Sequence, residues 1–441
     1  MGELEKRKNT MRYSVIDGAF WAVMTNAGTS FLTPFAIALN PPLLVIGALN
    51  SVPPLLDGIA QKIGAYFSDF GWERKKILVL GVAAQAVMWL FLALLAYYSN
   101  ALGAAATNLL LIAIATFIFF FGGVVNPAWF ALMGDVVPEK ARASWFGQLS
   151  RLINAVGLAA LLFAGFFLDS MKTDVLTGFA ALFAIAFAGR LLGSYFLQLH
   201  WDPKPHARKE PEAGKEAMDY SLLLFLIFFS VNIAGNYLSV YLLQMLKFDY
   251  VSFSAALISS TVFYVLAAPH WGRLIDRYGT KKVLVAAVAL MSIPSFITVF
   301  VQSPIQAVLS YAFAGMLWAG VMISFLNYLY DVTRPEERIK ATGHAYLMLG
   351  AGTFLGTIAG GVVLSCLGAA SLASFQLLFI LAGFLRIASA LVLNAKTREV
   401  KAPPGSKGTI EIMASIITIY PFQAFAYEIE RAVSKKRKIN S

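Results

Sequence analysis

The 441-residue sequence holds a single cysteine, Cys366, and only four histidines. One cysteine allows no internal disulfide and no cysteine-built metal cluster, and four scattered histidines offer no zinc site, so neither metal nor cofactor is expected. No HExxH, GxxxxGK(S/T) or GxSxG occurs, which removes the common metalloprotease, P-loop and serine-hydrolase chemistries and gives a non-enzymatic reading. Charge is scarce as well: Asp, Glu, Lys and Arg make up 13% of the chain, against about 25% in soluble domains. What fills the chain instead is apolar, with AVILMFWYC at 59% and a mean hydropathy of +0.70. Too little polar surface remains to cover a soluble core, so this is an integral membrane protein in a lipid bilayer.

The apolar runs are unbroken for about 20 residues or more and lack period-2 alternation, which excludes barrel strands and gives an all-α protein. Twelve spans are predicted, near 13–38, 43–67, 76–98, 107–133, 143–168 and 176–199, then near 220–246, 252–271, 282–301, 304–330, 341–365 and 372–394. The first run is too long for a signal-peptide core. Residues 1–12 precede it, 200–219 form a charged linker rich in Pro and Gly, and 395–441 form a tail. Basic residues sort by loop parity, so the net charge of +11 reads as a cytoplasmic address for both termini and the linker rather than as affinity for nucleic acid. Within the tail, 409–427 is apolar but carries Glu411 and Pro421 and ends in a basic cluster, which reads as an interfacial helix on anionic lipid.

The two halves repeat. Tyr13-Ser14, Ala27-Gly28 and Asp69 recur 207 residues later as Tyr220-Ser221, Ala234-Gly235 and Asp276. Beyond the third span the offset becomes 196, linking Asp135, Arg142, Gly147, Gly165 and Arg190 to Asp331, Arg338, Gly343, Gly361 and Arg386. The chain is therefore two pseudo-symmetric six-helix bundles, 13–199 and 220–394, a pattern typical of secondary transporters with a site at the repeat interface.

Between spans 8 and 9 stands Gly272-Arg-Leu-Ile-Asp276-Arg277-Tyr-Gly279-Thr-Lys281-Lys282, and between spans 2 and 3 its degraded partner, Gly64 to Lys76, with Asp69 and Arg74. With the loops Asp135 to Arg142 and Asp331 to Arg338, and the 6 + 6 layout, the sequence resembles the major facilitator superfamily over about 13–394. The resemblance implies a twelve-helix transporter that rocks two bundles around a midplane site. It also makes Asp69, Arg74, Asp135, Arg142, Gly272, Asp276, Arg277, Gly279, Asp331 and Arg338 candidates for cytoplasmic gating. An acid at a helix end meets the partial positive charge of a neighbouring helix N-terminus, and a nearby Arg adds a charge-assisted bond. The other reading, strongest for the lysines, is plain topology charge.

Ionisable groups at membrane depth are costly, so each is a functional candidate. Asp57, mid-span after Pro53-Pro54, is the proton-coupling candidate, and its repeat mate is Tyr264. A buried structural acid is the alternative. Asp17 reads as structural; Arg190 and Arg386, repeat mates, read as structural or anion-binding. In the superfamily, spans 1, 4, 7 and 10 line the cavity. On that basis Asn26, Thr29, Asn126, Trp129, Asn232, Asn236, Tyr237, Tyr241, Trp318 and Asn327, with Arg151 of span 5, are substrate-cavity candidates, against a plain role in helix packing. The glycines of span 11 (Gly343, Gly350, Gly352, Gly356, Gly360 and Gly361) read as close-packing positions.

The expected activity is alternating-access transport of a small solute, proton-coupled, by a monomer in the plasma membrane. The alternative is multidrug efflux on the same fold, although the Gly-Pro signature usual in span 5 of superfamily drug–proton antiporters is missing from 143–168. A transport-dead sensor is a third reading, with only the short tail to signal through.

Overall fold

A computed structural model of the chain describes residues 2–400, apart from 70–72, 204–213, 335–336 and 369–370. The centre of the expected linker and the whole of the apolar tail segment 409–427 lie outside the described residues. Every regular element among those described is helical. Eleven stretches are long and apolar enough to cross a membrane. They belong to α2 (Leu43–Asp69), α3 (Arg74–Tyr98), α4 (Ala104–Val136), α5 (Glu139–Ser170), α6 (Val175–Gln198), α7 (Lys215–Met245), α8 (Tyr250–Tyr278), α9 (Thr280–Thr298), α10 (Pro304–Asp331), α11 (Arg338–Cys366) and α12 (Leu372–Lys396). A twelfth, α1, precedes them over 3–38 in four pieces: Glu3–Val23, a π-helical turn Met24–Gly28, a 3-10 turn Thr29–Phe31, and Leu32–Ala38.

α1 begins about ten residues before its apolar run. Glu3 and Glu5 lie in its first turn, where carboxylates suit the helix dipole, and Glu3 pairs with Arg7 one turn on. Its repeat mate α7 is also interrupted, by a turn at Asn236–Tyr237 and a π-helical stretch Tyr241–Met245. Broken helices of this kind are found at transporter sites. Loop residues fix other ends: Asp249 accepts from Ser252 N at 2.7 Å to start α8, and Ser303 with Gln306 forms a capping box on α10. Gly279 turns α8 into α9 at φ 94°, a conformation that disfavours a side chain.

Glycines set the closest helix crossings. On α11, Gly352, Gly356 and Gly360 face the backbone carbonyls of Phe225, Phe229 and Ile233 on α7, so the i, i+4, i+8 stripe lets the two backbones touch. Gly64 and Gly123 do the same between α2 and α4.

The buried apolar residues divide by depth. At the end carrying the 38–43, 98–104 and 298–304 loops, one cluster joins both halves, from Phe31, Phe35, Trp89 and Phe183 to Tyr237, Phe253 and Phe379. Phe31 meets Phe253 edge-on at 6.3 Å, and Phe179 meets Tyr250 at 5.7 Å. At the other end, called here the basic end, the core is two clusters. One, around Leu78, Val82 and Leu132, belongs wholly to the first half; the other, around Trp271, Leu284 and Phe325, wholly to the second. The halves thus share a buried cluster at one end, while at the other each has its own, with α2 and α11 still touching at Gly58 and Tyr346.

Candidate transport site

Asp57 lies half-buried on α2, and its Oδ2 accepts from Gln61 Nε2 at 2.9 Å. A Cβ at Gly123 of α4 would stand 2.9 Å from Asp57 Oδ1, so the glycine makes room for the carboxylate at the α2–α4 crossing. One residue on, Gly58 faces the Tyr346 carbonyl of α11, 3.9 Å from where its Cβ would be. The carboxyl therefore sits beside a contact between the two halves. Two prolines precede it and remove helix donors one turn away.

The remaining cavity candidates separate into three groups. Asn126, Arg151 and Asn327 are exposed, and Thr29, Trp129 and Trp318 half-buried. Asn26, Asn232 and Asn236 are half-buried and engaged: Asn26 bonds the Ala22 carbonyl and packs on Gly157, Asn232 bonds Thr353 Oγ1 at 3.2 Å, and Asn236 bonds Thr357 Oγ1 at 2.6 Å. Asn236 also reaches across the halves to the Asn50 carbonyl at 3.4 Å. Tyr237 and Tyr241, expected to line the cavity, are instead fully buried. Their hydroxyls donate to the carbonyls of Thr357 (2.8 Å) and Val301 (3.3 Å), which makes them packing residues of the closed end. The α7 break rotates their faces, which residue type alone does not reveal.

At the basic end Arg74 is the hub of the first half. Its guanidinium is 4% exposed and reaches Asp135 Oδ2 at 2.6 Å, Asp202 Oδ1 at 2.8 Å and the Pro203 carbonyl at 2.7 Å. Asp202 Oδ2 also accepts from Lys75 N, near the start of α3. In the second half Thr280 Oγ1 donates to Asp331 Oδ2 at 2.7 Å, and Glu399 accepts from the backbone N–H groups of Lys281 and Lys282 at 3.1 Å. Asp202 and Glu399 thus do the same job, each following the last helix of its half and each anchoring the N-terminus of the third. Sequence reasoning missed both, because they fall one position off the 196 offset. Asp276 and Arg277 are exposed, with Arg277 lying over Tyr278, and Arg338 lies over Tyr330. Gly272 meets open space at its Cβ position. The side chains of Asp69 and Arg142 lie outside what is described.

Breaking the Arg74 hub leaves the nearly buried Asp202 carboxylate without its cation, whereas Asp135, 43% exposed, still meets water. Arg74→Ala is expected to cost about 3 kcal/mol, read as a lowered unfolding temperature in detergent, with Arg74→Lys intermediate because it keeps charge but not the fork. Equal stability of all three proteins would show the hub to be inert.

His200, just past α6, is 2% exposed, and both its ring nitrogens lack hydrogen-bond partners among the described residues. Burial, helped by the nearby Lys75 charge, pushes its pKa down from 6.5 to about 4. Below the ordinary value the unfolded chain binds a proton that the folded chain excludes. Stability is therefore full above about pH 6.5 and falls as pH drops towards 4, by about 3 kcal/mol at most. His200→Gln is expected to flatten that part of the stability–pH curve; an unchanged slope would show that the histidine does not set it.

Arg190 and Arg386 are both buried, 4% and 6% exposed, but differently partnered. Arg190 donates to Gln85 Oε1 at 2.6 Å and stands 3.6 Å from Asp17 Oδ1, with Gly193 leaving space for that carboxylate. Asp17 is thus part of an ion pair inside the first bundle. Arg386 donates to the Met291 and Val231 carbonyls at 2.7 and 3.2 Å, and its Nε is buried without a partner among the described residues.

Twelve helices among the described residues, in two matching bundles, give the architecture of a multi-pass membrane transporter. The sequence model described as Major Facilitator Superfamily matches the chain twice, over 18–219 and 220–427, and the chain belongs to that superfamily. It is similar to the multi-drug resistance efflux pump PmrA of Streptococcus pneumoniae, 27% identical over 258 residues, covering 55% of this chain and 63% of the pump. It is also similar to a Na(+), Li(+), K(+)/H(+) antiporter of Planococcus maritimus, 30% identical over 159 residues, covering 36% of this chain and 34% of the antiporter. These matches span less than two thirds of the relatives' lengths. Among solved structures it resembles a bacterial homologue of the iron transporter ferroportin in an inward-facing state, with TM-score 0.68 at 12% identity over 90% of this chain and 98% of that one. The nucleoside transporter NupG gives TM-score 0.60 at 16% identity over 89% and 98%. At such identities the likeness shows the fold alone.

Proposed function

We propose that this superfamily transporter moves a small solute across the cell membrane by alternating access, coupled to protons through Asp57, with its basic end in the cytoplasm. The observation that carries the reading is the divided core: one shared cluster at the far end and two private ones at the basic end. Two bundles whose buried clusters merge at only one end can exchange which end is shut without unfolding either bundle. The loop charges support a cytoplasmic basic end, which in this reading is the end at which the halves part. Asp57 supports the coupling because it touches α4 and neighbours the α2–α11 contact, so its charge bears on how the halves meet.

Efflux of amphipathic compounds is the second reading. The likeness to the PmrA pump favours it, and the absence of proline from 143–168 weighs against it. Reconstitution tests both. Liposomes with imposed pH or sodium gradients are screened against sugars, nucleosides, amino acids and amphipathic cations. Flux of one polar class driven by the pH gradient is the expected result; flux confined to amphipathic cations would select efflux, and flux driven by sodium alone would overturn proton coupling.

A further inference from the structure

The second bundle holds a partly open cavity of about 200 Å³ between α7, α8, α9, α10 and α12, with Arg386 in its wall. Its lining is mostly apolar, and no carboxylate contributes to it. The polar side chains that do are Arg386, the hydroxyls of Ser260, Ser295, Thr298, Ser310 and Tyr311, and the Trp318 indole, with Thr298 already donating to the Pro294 carbonyl. Arg386 Nε is fully buried and has no hydrogen-bond partner among the described residues.

The first bundle shows what a buried arginine needs. There Arg190 has Asp17 for charge and Gln85 for a neutral bond. At the 207 offset the mates of these two residues are Leu224 and Ser292, and Ser292 bonds the Ala289 carbonyl instead. A guanidinium stays protonated in proteins, so Arg386 keeps its full charge with two backbone carbonyls and no counter-ion among the described residues. Burying such a charge without a counter-ion costs several kcal/mol, and an anion in the adjoining space would offset that cost.

We infer that this cavity binds a small, partly apolar organic anion, its acidic group beside the Arg386 guanidinium and the neighbouring hydroxyls and its body against the apolar wall. The volume sits below the range of about 300–1,000 Å³ usual for drug-sized ligands, which limits the body to about one ring. The site lies within one bundle, so it stands whether or not the transport reading does.

The test uses the full-length protein in nanodiscs, with sodium benzoate as probe, benzamide as its neutral counterpart and sodium chloride as the bare anion. Calorimetry is expected to show saturable benzoate binding at one site, with benzamide and chloride each at least about tenfold weaker. Arg386→Gln is expected to weaken benzoate by at least about tenfold. Gly235→Leu keeps the arginine but fills the cavity, because a Cβ at Gly235 meets nothing within 4 Å; it is expected to remove binding while the protein stays folded. Benzoate binding unchanged in Gly235→Leu, benzamide binding as well as benzoate, chloride binding as tightly as benzoate, or no binding of any probe would each overturn the inference.

Discussion

Asp57→Asn is expected to abolish accumulation against a gradient while leaving downhill exchange intact. The substitution keeps the shape of the side chain and an oxygen to accept from Gln61, so the α2–α4 crossing is preserved. What it removes is the ability to gain and lose a charge beside the contact between Gly58 and Tyr346. Without that change, the preference of the two halves for one arrangement no longer depends on the proton, and the solute equilibrates instead of concentrating. In proteoliposomes, pH-driven accumulation should drop at least about tenfold, with counterflow within about twofold of wild type. Undiminished pH-driven uptake in Asp57→Asn would remove this residue from the mechanism.

The second large effect comes from locking the closed end. A Cβ at Gly165 of α5 would lie 2.8 Å from Ser254 Cβ of α8, while a disulfide needs about 3.8 Å. The helices must ease apart by only about 1 Å for a bridge to form. In a Cys366→Ser background, Gly165→Cys with Ser254→Cys is expected to carry solute when reduced and to stop almost completely when oxidised, recovering on reduction. The bridge ties the first half to the second on the side that must open for the outward state. Full transport by the oxidised protein would show that these helices never separate.

The architecture was legible in the sequence because membrane solubility and repetition leave coarse marks. Apolar runs gave the spans, and two offsets gave the halves. The span-11 glycines were also readable, since Gly352, Gly356 and Gly360 meet α7 as their spacing implies. Local geometry was less so. Nothing in the residues of α1 announces the π-helical turn at Met24–Gly28, and the matching interruption in α7 turns Tyr237 and Tyr241 into the core. Charge partners were hardest. Arg74 reads as one of a basic triplet, yet it is buried because Asp202, beyond α6, folds back on it. Arg190 and Arg386 look equivalent by position and differ only in what surrounds them, a difference carried by Asp17 and Gln85 on other helices.

The central claim is that the basic ends of the two halves part and meet. Gly147 on α5 and Gly343 on α11 are repeat mates at that end, and each has open space where a Cβ would go. Spin labels on Gly147→Cys and Gly343→Cys, in the Cys366→Ser background, report their separation by pulsed electron paramagnetic resonance. The account predicts a longer and a shorter population whose ratio shifts between neutral and acidic pH, and a ratio that no longer shifts with pH in Asp57→Asn. One narrow distance, the same at every pH and in both proteins, would contradict it.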